Sequence, residues 1–325
     1  FTPSNGEVGD NFGTGLAVEA GQLLIGAPSS ATVSDLVGAT YAFTKPAGGD
    51  WQTSTEDQLI EPVPFLDDVV RLGSSVAVEG NIAVISVPNQ DSEGFHDAGK
   101  VYIYEKQNDG SWVRTAELSP SNLNASGWLM GRSVAIQGDL VVVGSQATTN
   151  ISREGAVYLF EKPESGWTDM TETAILTGSN SSSSSLLGNS VDIDGDIIVA
   201  GAWQEVNPIA NNAGAAYVFK KPEAGWATMT ETAILTPSES FQNQRFGWDV
   251  AVDGSTIVVG VFLGKFIAND GGAVFVFEEP TNGWVDMTET AILTASTTST
   301  RDGLGRSVDV SGDIIVSGAE NADEV

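Results

Sequence analysis

Residues 187–202 read LGNSVDIDGDIIVAGA, and versions of this phrase recur along the whole chain. The glycine at its second position falls at Gly13, Gly73, Gly131, Gly188, Gly247 and Gly305, so successive copies stand 60, 58, 57, 59 and 58 residues apart. A second phrase, in outline G-A-V-Y-V-F, begins at Gly38, Gly99, Gly155, Gly214 and Gly272. A tryptophan then follows a turn at Trp51, Trp112, Trp167, Trp226 and Trp284. The last three open almost identical stretches: GWTDMTETAILT (166–177), GWATMTETAILT (225–236) and GWVDMTETAILT (283–294). A fixed internal period is the mark of a repeat architecture. The units run 11–70, 71–129, 130–186, 187–245, 246–303 and, incomplete, 304–325.

Each unit reads as four strands. The first, SVAVEG (75–80) or SVDIDG (190–195), alternates apolar and polar residues at a period of two. A tight turn at Gly80, Gly138, Gly195 or Gly312 follows, and such turns want φ > 0. The second strand is a continuous apolar run, LVVVG (140–144) or TIVVG (256–260), as expected when both faces are covered. The third, GAVYLF (155–160) or GAVFVF (272–277), is β-branched and aromatic. The fourth carries the tryptophan and an A-I-L-T end. Its MTETAIL core has helix-forming residues, but its length and flanking turns argue for strand. Four antiparallel strands per repeat is the pattern of a β-propeller blade. The expected fold is therefore all-β, a single propeller domain over residues 1–325 with five complete blades and a partial one, belonging to a six- or seven-bladed ring. The glycines that end strand two (Gly26, Gly144, Gly201, Gly260 and Gly318, with Ser86 in the second unit) are read as backbone geometry rather than as ligand contacts.

The phrases N-F-G (Asn11, Phe12, Gly13) and I-G-A-P (Ile25, Gly26, Ala27, Pro28) resemble FG-GAP repeats, the blades of the integrin-alpha-type propeller. The resemblance extends over essentially the whole chain. It implies a secreted or cell-surface protein that binds through the propeller's upper face. In one respect the sequence departs from that family. Integrin-like blades often carry a D-x-D/N-x-D-G calcium loop between strands one and two, whereas the hairpins here are short: VEGN, IQGD, IDGD, VDGS and VSGD. Calcium needs six or more oxygen ligands. Calcium at the family's position is not expected, and no cofactor is assigned.

Composition narrows the function. The chain has 325 residues, 43 acidic against 14 basic, and a formal charge of −29. A polyanion repels phosphate backbones, so nucleic acid is not an expected partner. No apolar run approaches the length of a membrane span. Cysteine is absent and there is a single histidine, which removes thiol chemistry and most acid–base and zinc chemistry. An enzyme is accordingly not expected.

In a four-stranded meander the loops after strands two and four leave from one end of the sheet, and those after strands one and three from the other. The first set is long and differs in every copy, which makes it the place for recognition. Trp128, Trp203, Phe262 and Phe266 are candidate ligand contacts there, able to stack on sugars or fill a partner's pocket. Trp248 is read as packing near the end of its strand. Arg71, Arg132, Arg245 and Arg306, around the start of strand one, are read as bracing loops through carboxylates. Asp91, Glu93 and Asp97 surround the lone His96; they could seat a cation, but a solvated acidic loop is the favoured reading. Asn124, Asn150 and Asn180 head N-x-S triplets and are candidate glycosylation sites.

The leading reading is a non-catalytic extracellular or surface propeller that binds a protein or glycan. One alternative is a structural subunit of an extracellular fibre, a filament or matrix in which copies complete one another's blades. Another is a polysaccharide-active enzyme. The opening FTPS matches the LTPS end of a fourth strand (235–238), and the sequence stops after strand two of the sixth unit. A seven-bladed ring of such repeats needs about 400 residues. A fragment of a longer chain is favoured over completion by another molecule.

Overall fold

The computed structural model describes residues 1–325 except 31–36, 52, 61–69, 93, 124, 147–153, 181–183, 207–211, 240–242, 263–270, 297–301 and 321–325. Every regular element among the described residues is a β-strand. The chain divides into two compact units, Phe1–Val143 with Leu159–Thr173, and Gly144–Tyr158 with Ala174–Val325. This division runs through the third repeat rather than at a linker. Blades that touch only their neighbours offer no composition shift at which a boundary could be read.

In the first unit, Gly15–Glu19, Gln22–Ala27, Ala39–Thr44 and Gln58–Ile60 form one antiparallel meander. Val76–Glu79, Ile82–Val87, Lys100–Lys106 and Trp112–Ser119 form a second. In the second unit, Val191–Asp194, Ile197–Ala202, Ala215–Lys220 and Ala233–Leu235 repeat the pattern. So do Val250–Asp253, Thr256–Val261, Ala273–Glu278 and Ala291–Leu293. The sixth repeat supplies the hairpin Leu304–Ser311 and Ile314–Ala319. The four-stranded antiparallel blades of a propeller are thus present as expected, and the turn glycines Gly80, Gly138, Gly195 and Gly312 all have φ between 54° and 58°.

In the second to fifth repeats the apolar second strands are buried almost along their length, with one face toward each neighbouring repeat. In the fifth repeat Ile257, Val259 and Val261 pack toward Val199, Ala216 and Val218 of the fourth. Val258, on the opposite face of the same strand, packs with Val308 and Val310 of the sixth. The repeated tryptophans belong to this core: Trp112, Trp167 and Trp284 are buried. Removing a fully buried side chain of this size costs about 3–5 kcal/mol.

The fourth strand differs from expectation. In the later repeats the Trp follows the turn and lies outside any strand, the strand proper begins at A-I-L, and the preceding Met-Thr pairs with the repeat before it. Met170–Thr171 runs parallel to Leu118–Ser119, and Met229–Thr230 to Leu176–Thr177. A glutamate then fastens each such junction. Glu172 accepts the Ser121 N–H at 2.9 Å and its hydroxyl at 2.5 Å, and Glu231 and Glu289 hold Ser179 and Ser238 in the same way. Glu56 holds Ser4 identically, so FTPS does take the position of a fourth-strand end.

First strands are joined side by side. Asp194 accepts the Gly254 N–H at 2.8 Å, and Asp253 accepts that of Gly312 at 2.5 Å. Asp192 accepts N–H groups of Val252 and Ile193 at 2.8 and 2.9 Å. Burial nevertheless raises its pKa to about 7, against the pull of those two donors and with help from the charges of Asp309 and Asp249. Asp249 is also raised by burial, although it accepts the Ser190 hydroxyl at 2.6 Å and the Val308 N–H at 2.7 Å.

Candidate functional site

The F/L-G phrase that opens each repeat has a fixed backbone, and this places one variable side chain at the loop end of the sheet. The residue directly before each of the first five phrases is left-handed: Asn11 (φ 57°), Arg71 (62°), Leu129 (50°), Leu186 (56°) and Arg245 (61°). Such a φ costs a non-glycine residue about 1–2 kcal/mol and is held by its surroundings. The side chain itself is therefore free to differ between copies. Ahead of the fifth phrase, Phe246–Gly247, it is arginine.

Arg245 meets aromatic residues from two consecutive repeats of the second unit. Its Cζ lies 4.9 Å from the Trp203 ring centroid, 5.5 Å from Trp248 and 5.2 Å from Phe262. Arg306, from the sixth repeat, approaches two of the same rings, at 4.5 Å from Trp248 and 5.0 Å from Phe262. The rings also pack edge to face, with centroids 5.1 Å apart for Trp203 and Trp248 and 4.6 Å for Trp248 and Phe262. Trp203 and Phe262 sit just beyond the second strands, and the arginines lie where loops re-enter the first. All five residues thus occupy the end of the sheets where the variable loops leave.

The electrostatics are uneven. Arg306 Nε donates to Glu320 at 2.9 Å. Arg245 has ring contacts but no carboxylate or hydrogen-bond acceptor among the described residues. Burial lowers its pKa, and the neighbouring Arg306 charge lowers it further. The Trp203 indole N–H is buried without a partner. Guanidiniums stacked on rings keep their N–H donors in the ring-parallel plane, where an incoming anion can take them.

Of the four predicted ligand contacts, Trp203 and Phe262 come together here, and Phe266 lies outside the described residues. Trp128, in the first unit, is half-buried beside the start of Met130–Gln137 and is not part of this cluster. Trp248, read from the sequence as strand packing, joins it instead. Arg306 does brace a loop through a carboxylate as expected, whereas Arg245 meets no carboxylate among the described residues. One sequence signal points to the convergence: Trp203 and Phe262 are one repeat apart and both directly follow the second strand's G-A or G-V step.

The acidic loop near His96 folds upon itself. Asp91 meets His96 Nδ1 at 2.6 Å and accepts the Asp97 N–H at 2.9 Å, while Asp97 accepts an amide N–H of Asn89 at 2.8 Å. Glu93 lies outside the described residues, and no metal-binding group of acidic or histidine side chains occurs among those described. Asn124 and Asn150 also lie outside them. Asn180 is exposed, and its side-chain oxygen accepts the Tyr217 hydroxyl at 2.9 Å. In the first unit, the hairpin end of the sheets carries a shallow groove of about 500 Å³ lined by Thr44, Asp57, Gln58, Asp109, Ser111 and Trp112. Its carboxylates are already occupied: Asp57 accepts the Thr44 N–H at 2.5 Å, and Asp109 accepts both donors of Ser111 at 2.6 and 2.9 Å.

Comparison with known proteins follows the repeat period, each match beginning in the last part of one unit and running into the next. A family model described as FG-GAP repeat matches residues 112–160, 170–219, 229–277 and 287–325, together more than half of the chain. No curated protein gives a significant match. Among solved structures, the WD40 β-propeller domain of Doa1 is similar over 94% of this chain and 75% of that one, at 12% identity and a TM-score of 0.49.

Proposed function

The chain belongs to the FG-GAP repeat family, and on that premise we propose a non-catalytic binding propeller, extracellular or at the cell surface, that recognises a protein or glycan through its variable loops. The observation that carries this reading is the cluster of Arg245, Arg306, Trp203, Trp248 and Phe262 at the variable end of the sheets. Aromatic residues and arginine are the types that dominate recognition surfaces. The turns at the other end repeat from copy to copy and spend their polar groups on one another. FG-GAP repeats are typical of extracellular and surface proteins, and no helix of the described residues is long and apolar enough to cross a membrane. The test is to pass the purified chain over immobilised glycans and proteins and to assay the same panel for products. Retention without product is the expected result; turnover of any polysaccharide would overturn it.

A second reading, assembly of copies through strand completion, draws support from apolar residues left exposed on strands. Ile292 and Leu293 are 40% and 41% exposed, and Ile314 and Val316 are 67% and 55% exposed. Sedimentation as a monomer at all concentrations would remove it.

A further inference from the structure

We propose that the Arg245 cluster binds the carboxylate of an acidic sugar, one carrying a single negative charge on an otherwise neutral body. The inference deepens the reading of the loop end as a recognition surface and rests on it. Arg245, Arg306 and Glu320 together carry a net charge of +1, which one carboxylate neutralises. Arg306 is already committed to Glu320, so Arg245 is the group with donors to give. Asp249, next to Trp248 in the chain, turns away to Ser190 and the Val308 backbone and does not compete.

Two arginines sharing the same two rings repel each other, and the acidic residues of a −29 chain would be the natural partners for both. Among the described residues Arg245 is left without an acceptor, an unmet hydrogen-bond demand at the loop end. A carboxylate satisfies it through charge-assisted hydrogen bonds. The ring edges of Trp203 and Phe262 offer apolar contact to sugar C–H groups.

Charge and size select among anions. A polyanion is repelled by the whole molecule before it reaches the site, whereas a single charge feels mainly the local field within a Debye length. An acidic protein partner would need about 800 Å² of complementary surface on a strongly acidic molecule. A sugar needs only the cluster.

The test uses the chain with 3′-sialyllactose, lactose and a glutamate-containing tripeptide, followed by titration calorimetry and tryptophan fluorescence. Sialyllactose should bind at least about tenfold more tightly than lactose, since a hydrogen bond to a charged group is at stake. Arg245→Asn should lose about tenfold or more. Asparagine suits the left-handed position, as Asn11 does in the first repeat, so folding is preserved and a matched melting temperature confirms it. Arg71→Asn, at the same place in the second repeat, should bind as the parent does. Equal affinity for lactose and sialyllactose, tighter binding of the peptide, or unchanged binding by Arg245→Asn would each overturn the inference. A chain that retains another ligand at the loop end but no acidic sugar loses this inference alone. One that retains nothing there loses the broader reading as well.

Discussion

Replacing Gly201 by alanine tests the packing of one repeat on the next. Gly201 ends a second strand, and its Cα faces the backbone of Gly247, the glycine of the following F-G phrase. A Cβ built there would lie 2.1 Å from the Gly247 carbonyl oxygen, 3.0 Å from its carbon and 3.4 Å from its Cα. Unstrained carbon–oxygen contacts lie at roughly 3.3–3.6 Å, so the strands must part by roughly 1 Å. The obstacle is backbone on both sides, and no rotamer change can relieve it. Both flanking hydrogen bonds, Gly201 N–H to Ser190 and Gly188 N–H to Gly201, hold the strand in place at 2.9 and 3.0 Å. A gap of that size forfeits a quarter to a half of the dispersion energy of the atoms it separates. Overpacking of this kind costs about 3 kcal/mol, which lowers the melting temperature of a 325-residue chain by about 4 °C. Gly195→Ala is the control: its φ is 56° but no atom lies within 4 Å of the added carbon, so only the left-handed cost of about 1 kcal/mol applies. Scanning calorimetry of both variants decides the matter. If Gly201→Ala melts no lower than Gly195→Ala, close backbone approach is not what selects glycine at the end of strand two.

Asp192 should give the molecule a pH-dependent weakness. Burial raises its carboxyl from 3.8 to about 7, so between those values the native state keeps a proton that the unfolded chain has released. Stability through this group therefore falls as pH rises from about 4 to about 7. Asp192→Asn should gain on the parent over that window in urea unfolding; a constant difference would refute the assignment. At the Ser179–Glu231 fastening, Ser179→Ala and Glu231→Ala should each cost about 0.5–1 kcal/mol, with the double variant costing less than the sum. Strictly additive costs would show that the fastening is idle.

The fold is legible because the chain states it repeatedly. The hairpin glycines, the both-sided apolar second strands and the aromatic third strands each obey a local rule, and the copies confirm one another. The fourth strand is less legible because its Met-Thr serves two repeats at once, and a local pattern does not record that Met170 pairs with Leu118. The serine–glutamate fastenings are hidden for the same reason, since Ser121 and Glu172 are 51 residues apart. Trp203 and Phe262 stand out as aromatics in otherwise variable loops. Arg245 does not, because its position belongs to the repeat while its side chain belongs to the site. Only the fold shows that this guanidinium finds rings where a carboxylate is expected.

The most direct test of the account is amide hydrogen exchange on the chain with and without the ligand that the retention panel identifies. Protection should appear at residues 203–206 and 243–248, which flank the cluster, and be absent from the turns at Gly195–Asp196 and Gly254–Ser255. Protection confined to those turns, with the loop end unchanged, would contradict it.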